Sequence, residues 1–181
     1  GFKIQDVQKA QSDINYMERW SSDASQQMKI EIDTQVLSDI PGDAHSDNQG
    51  SSAGAISKDI DLGSTGSPVV VDNANAMQIL ILPGQILDEQ NIPETERWVV
   101  LPAWFSTRLK NSDLKNASLT GDDTSPVRNG KIGGIDRFTL YSSNSVAQVQ
   151  DGSYGGKCWK IPFGHKSALT FASQLTENEM L

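Results

Sequence analysis

The chain has 181 residues, 36% of them hydrophobic and 21% charged, with 15 Lys and Arg against 23 Asp and Glu and a net charge of -8. That length suits one domain, or one domain with an appendage, and is enough for a sizeable core. Scattered basic residues in an acidic chain argue against nucleic acid as a direct partner, no apolar run approaches the roughly 20 residues of a membrane span, and the lone Cys158 excludes an internal disulfide and fits a reducing compartment.

In chain order, residues 6–40 contain neither Gly nor Pro. Val7, Ala10, Ile14, Met17, Ser21, Ala24, Met28, Ile32 and Val36 recur in steps of three and four, which puts one stripe on one helix face. With Asp6 as N-cap and Pro41-Gly42 as the stop, the pattern predicts one continuous helix about 50 Å long at ~1.5 Å per residue. A narrow stripe of this length fits a coiled coil or a spine laid across a domain; its fading at Ser21 and Ala24 favours the spine. Residues 41–68 are rich in Gly, Ser and Asp and read as a long exposed loop with a short strand near Ile60–Leu62. Within it, 43–57 is expected to bury nothing and, with 118–128, to be the most mobile part of the chain.

A second helix is predicted over 73–90, capped by Asp72, with Ala74, Met77, Leu80, Ile81 and Leu87 on its apolar side and a kink or break at Pro83-Gly84. The run Trp98–Leu101 reads as a buried strand, and Pro102 as the first residue of a helix reaching about Leu109. After a polar stretch over 111–129, a strand is expected over 135–142, with Phe138 and Leu140 on one face and Ile135 and Tyr141 on the other. The loop "QDGSYGG" leads to a strand over 157–163, a turn over 164–167, and a half-buried strand in "ALTFASQL". Helices and strands come in segregated runs, so the fold class is α+β.

The chain offers little chemistry. His45 and His165 lack the partners of a zinc site, and "DAHSDNQG" fails the calcium-loop pattern. His165 has no nucleophile elbow or orienting carboxylate in sight and reads as a His that bonds its own turn. "NGKIGGI" lacks the Gly-Lys-Ser/Thr ending of a phosphate loop and precedes a strand. The pairs Asp122-Asp123 and Asp88-Glu89 read more simply as a solvated turn and a helix end than as catalytic carboxylates. The expectation is therefore no catalytic residue, no cofactor and no metal, in a protein that works by contact.

One stretch has a definite local design: "LDEQNIPETERWVVLPAWF", residues 87–105. Asp88 and Glu89 end a helix, Pro93 forces the chain out of it, Arg97 opens a strand, Trp98 starts the apolar run, and Pro102 ends it. These six are the structural or subunit-interface candidates. Arg97 is expected either to pair, bidentately, with a carboxylate such as Asp88 or Glu94, or to be reserved for a neighbouring subunit.

This stretch resembles a segment of tailed-bacteriophage major capsid proteins, in which a helix ends in Leu-Asp-Glu-x-Asn-Val-Pro, an Arg follows, and an apolar strand runs to a Pro. "DVQKAQSDINYMERWSSDASQQMKIEID" looks like the helix that precedes it, "GKIGGIDRFTLYSSN" is similar to the following Gly-rich strand ending at Ser143-Asn144, and "FGHKSALTFASQLTENE" resembles the Gly-His-Lys stretch after that. One departure is Arg137 before Phe138, where the family pattern has Gly.

The resemblance implies the tailed-phage major-capsid fold, a long spine helix plus a mixed β-sheet flanked by helices. It divides one structural unit into 1–40 as spine helix of the peripheral domain, 41–155 as axial domain, and 156–181 as strands returning to the peripheral domain. It implies a structural subunit of an icosahedral capsid, made in the bacterial cytoplasm and resident in the virion. Its partners would be copies of itself in pentamers and hexamers, with no sequence-specific nucleic acid binding and no membrane. It further implies a central piece of a longer coat protein, a proteolytic or recombinant product, monomeric or weakly associating alone. The other class open to the sequence is a non-enzymatic phage surface or carbohydrate/partner-binding module using aromatics such as Trp104 or Tyr154. A pure β-sandwich would favour that module; a long helix leading into a mixed sheet would favour the capsid protein.

Overall fold

A computed structural model describes residues 16–112 and 134–170, with side chains from Arg19 onward. Among the described residues the order is α1 (Tyr16–Asp43), a 3-10 turn (Ser46–Asn48), α2 (Ala76–Glu89), β1 (Arg97–Leu101), α3 (Ala103–Lys110), β2 (Gly134–Ile135), β3 (Phe138–Ser142), β4 (Gln148–Asp151), β5 (Gly156–Trp159), β6 (Phe163–His165) and a second 3-10 turn (Lys166–Ala168). Expectations for 1–15, 113–133 and 171–181, including the helix start at Asp6, the 118–128 loop, Asp122-Asp123 and the "ALTFASQL" strand, lie outside the described residues.

The sheet is four-stranded in the order β2-β3-β1-β6, and β4-β5 form a separate ribbon. β1 runs parallel to β3, with Arg97 opposite Phe138 and Leu101 opposite Ser142, and antiparallel to β6, with Val99 opposite Phe163. The sheet is therefore mixed and the fold α+β. β1 and β3 are its inner strands, and Val99 and Val100, β-branched, suit that setting on β1. Residues 97–101 alternate buried and half-buried, so one face is sealed and the other only partly covered. At Pro102 the backbone stays extended (ψ 153°) and caps α3 without a side-chain hydrogen bond. It is thus the cap and not the first helical residue: a Pro needs no donor there, and its fixed φ suits either position.

The main core joins α2, β1, α3 and the β2-β3 hairpin through Ala76, Leu80, Leu87, Val99, Leu101, Phe105, Leu109, Ile135 and Phe138. A second cluster, Ala53, Ile60 and Ile86, holds the 50s loop on the other side of α2. α2 is consequently buried on two sides: Ala76 and Ile86 are inside while Ala74 and Ile81 are exposed, because the loop as well as the sheet covers the helix. The expected break at Pro83-Gly84 is absent. The helix runs through both, each buried. Packing on two sides offsets the one missing donor. Asp72 does not cap α2; its Oδ1 accepts the amides of Ala74 and Asn75 (2.8 and 2.9 Å), capping the turn that leads into it.

α1 continues through Ser21-Ser22 without a break, but it passes Pro41 and ends at Asp43. It is also not a spine lying on the body: residues 19–35 are all exposed, and burial begins only at Val36 and Leu37. Steps of four residues advance about 40° beyond a full turn. The row Trp20, Ala24, Met28, Ile32, Val36 therefore winds around the helix and presents no single face to a core.

Three further expectations change. The strand expected over 135–142 is a hairpin, β2 and β3, turned at Asp136 and Arg137 with φ of 47° and 66°. The reversal brings Ile135 to the same core as Phe138 and leaves Tyr141 exposed. The strand expected over 157–163 is divided into β5 and β6, because Pro162, at the break, has no N–H to continue a ladder. β5 pairs instead with β4, whose last residues fall in the expected "QDGSYGG" loop. The 43–57 segment does bury side chains: Ala53 is fully enclosed and forms a bridge with Ile60. That bridge stands in place of the strand expected near Ile60–Leu62.

Candidate functional site

The end of α2 and the start of β1 meet at Arg97, the largest fully buried side chain among the described residues. Its Nε donates to the Pro93 carbonyl (2.8 Å) and its Nη2 to the Ile92 carbonyl (2.6 Å) and to Asp88 Oδ1 (2.7 Å). Nη1 approaches the Gly84 carbonyl at 3.5 Å. A planar fork of donors thus collects the free carbonyls left where the helix ends and the chain turns over Pro93. The contact with Asp88 uses one oxygen and is not bidentate, since the other donors are engaged by main chain.

The second Asp88 oxygen accepts from Arg137 Nη2 at 2.7 Å, and Arg137 Nη1 reaches Glu94 at 2.8 Å. One carboxylate at a helix end therefore ties two arginines, from β1 and from the hairpin turn, into one corner. Burial pushes the Asp88 carboxyl up, but hydrogen bonds from Arg137 and Arg97 outweigh it and leave it below the usual carboxylate range. The bond to Asp88 likewise raises Arg137. Arg137 sits in the left-handed region that favours Gly and is also the residue that reaches across to α2.

Glu89, next to Asp88, faces the other way. Its Oε2 accepts the amides of Ile56 (2.8 Å) and Ser57 (3.1 Å). These backbone donors, Ile56 first, hold it down at about 2. Glu96 pairs with Lys166 at 2.8 Å, joining the β1 start to the turn after β6; the contact lowers Glu96 and raises Lys166. Of the six candidates, Asp88 and Arg97 hold this corner, while Glu89 holds the 50s loop. Pro93 is exposed and contributes its carbonyl, Trp98 is half-buried against Gly164, and Pro102 is buried at the far end of β1. The sequence reading missed Arg137. Its signal was the departure at 137 from the pattern of the proteins the sequence resembles.

Every charge in the corner is already paired or bonded to main chain, and such an arrangement suits fixing an angle between elements. Among the described residues no group of His, Cys, Asp and Glu could hold a metal ion, and no helix is long and apolar enough to cross a membrane. His165 Nδ1 takes the Ser167 amide (3.2 Å) and His45 Nδ1 the Asp47 amide (3.3 Å), each within its own turn.

No family model matches the chain, and no curated protein does. A solved chain from Mycobacterium phage Che8 shares the fold: TM-score 0.57 and 22% identity, over 83% of this chain and 48% of that one. The chain thus spans about half the length of that phage protein. At this identity the likeness is one of fold.

Proposed function

We propose that this chain is a structural subunit of a tailed-bacteriophage capsid, working by lateral contact with copies of itself in rings of five and six, without catalysis and without a cofactor. The observation that carries the reading is the fold shared with a Mycobacterium phage Che8 chain over 83% of the residues. Four sequence segments in capsid-protein order support it independently, and a mixed sheet led into by a long helix is the topology that favours it over a binding module. The net charge of -8 suits a shell interior that must not adhere to packaged DNA. The Asp88–Arg97–Arg137 corner fixes the angle between α2 and the sheet, and a repeated contact needs such rigidity in every copy.

The test is electron microscopy of the complete product of the open reading frame that encodes this chain, expressed in bacteria. Closed shells or five- and six-membered rings are the expected result. A product that stays dispersed and binds glycans on an array would replace this reading with the surface-module one.

A further inference from the structure

A cleft of about 1710 Å³ is lined by residues of the 61–71 loop and of 149–163, together with residues from the end of α1, from α2, β1 and α3. It is larger than the roughly 300–1,000 Å³ of ordinary small-molecule pockets, and Trp104, Cys158 and Trp159 line it. The loop carries a tight turn in which Ser64 and Ser67 exchange both backbone hydrogen bonds at 3.0 Å. Gly66 (φ 85°) gives the turn its left-handed residue, and Gly63 (φ 87°) gives the chain the same backbone just before it.

Among the described residues a single hydrogen bond joins 63–67 to the opposite wall. The Gly66 amide donates to Asp151 Oδ2 at 2.6 Å. Asp151 Oδ1 accepts the amides of Ser153 (2.9 Å) and Tyr154 (3.1 Å), which fixes the carboxylate at the end of β4. Asp151 is only 6% exposed, and among the described residues no cation lies within 4 Å of it. Hydrogen bonds from Gly66, then from Tyr154 and Ser153, outweigh burial and hold the carboxyl low, as expected for an anion solvated by main chain. An added Cβ at Gly66 would sit on left-handed backbone and 3.2 Å from Ser153 Cβ, a tight contact.

We propose that residues 63–67 are a strap that shuts one side of this cleft, pinned by Asp151, and that release of the Gly66–Asp151 bond opens the cleft while the core stays folded. A closed turn, a glycine at its entry and a single bond to the 151–154 segment make a segment that detaches as a unit at low energy.

The chain's one cysteine reports the opening directly, because Cys158 is half-buried in the cleft lining. Asp151→Asn leaves one oxygen where two are used, so either Gly66 or the 153–154 turn loses its acceptor. Labelling of Cys158 by a bulky anionic thiol reagent should accelerate about tenfold, the scale of one lost charge-assisted hydrogen bond. Gly66→Ala, acting through backbone strain and Ser153, should accelerate it too. Amide exchange at Val99 and Leu101 should be unchanged in both. Unchanged labelling in both variants overturns the proposal, as does acceleration matched by equal loosening at Val99 and Leu101. Should either variant fail to fold, the wild-type chain decides. The Gly66 amide should exchange with little dependence on added urea, and a urea slope equal to that of Val99 sinks the strap.

Discussion

At the scale of single residues, the corner at Arg97 separates buried from exposed charge. Arg97 is 1% exposed, and its donors satisfy carbonyls at Pro93 and Ile92 as well as Asp88. Arg97→Ala would strand all of them, so a loss of about 3 kcal/mol in urea unfolding is expected. Arg97→Lys should recover little, because one ammonium cannot reach the same set. Arg137 behaves differently. Its ion pairs are solvent-facing and its backbone is strained, so Arg137→Gly should melt at a higher temperature than Arg137→Ala: both lose the pairs, but only Gly sheds the strain of φ 66°. Equal melting temperatures would mean that the left-handed turn stores no strain. Glu89 gives the acid limb. Its folded pKa of about 2 lies below its ordinary 4.5, so the unfolded chain binds the proton first. Its stabilising contribution is complete above 4.5 and disappears as pH falls from there toward 2. Urea midpoints across that window should fall less steeply in Glu89→Gln than in the wild type.

At the scale of elements, α2 is the organiser, with the sheet core on one side and the 50s loop on the other. Gly84 shows why its sequence breaks helix rules. The site of an added Cβ there is taken by the Asp136 side chain, with the Phe138 ring behind it at 3.6 Å. Gly→Ala in a helix interior ordinarily gains up to about 1 kcal/mol. Here Gly84→Ala should raise the melting temperature less than an ordinary helix-interior Gly→Ala, because the Asp136 carboxylate must swing out of the site. A full gain would show that Asp136 moves at no cost. The α3 helix is short but well sealed: Phe105 and Leu109 are buried, and Ser112 Oγ returns to the Leu109 carbonyl at 2.6 Å. Phe105→Ala should cost about 3–5 kcal/mol, the usual range for emptying such a site.

For the whole molecule, the question is self-association. A net charge of -8 opposes contact between copies, while exposed Met28, Ile30 and Ile32 on α1 favour it. Like charge acts at long range and is screened by salt, so the chain by itself should scatter light as a monomer or weak oligomer at low ionic strength and associate more as salt is raised. A stable closed oligomer at micromolar concentration without added salt would show that apolar contact dominates.

The sequence by itself determined the α+β class, most of α1 and α2, the strand at Val99, a His165 that bonds its own turn, and a pairing of Arg97 with Asp88 as one option beside Glu94 and a neighbouring subunit. Each depends on neighbours a few residues apart, or on a charge held a short reach from a helix end, and such interactions are written in spacing. It did not determine the β2-β3 reversal, because Asp136 and Arg137 carry no Gly to announce left-handed backbone. Nor did it reveal that Arg137 shares Asp88 across 49 positions, that Glu89 holds the 50s loop from 32 and 33 away, or that Asp151 meets Gly66 across 85. Those contacts join side chains to backbone amides or to distant partners. A backbone amide has no identity in the sequence, so only the folded chain decides which carboxylate it meets. The same reason undid the spine: a row of apolar residues records a helix period, but whether anything packs against it is settled by where the rest of the molecule lies.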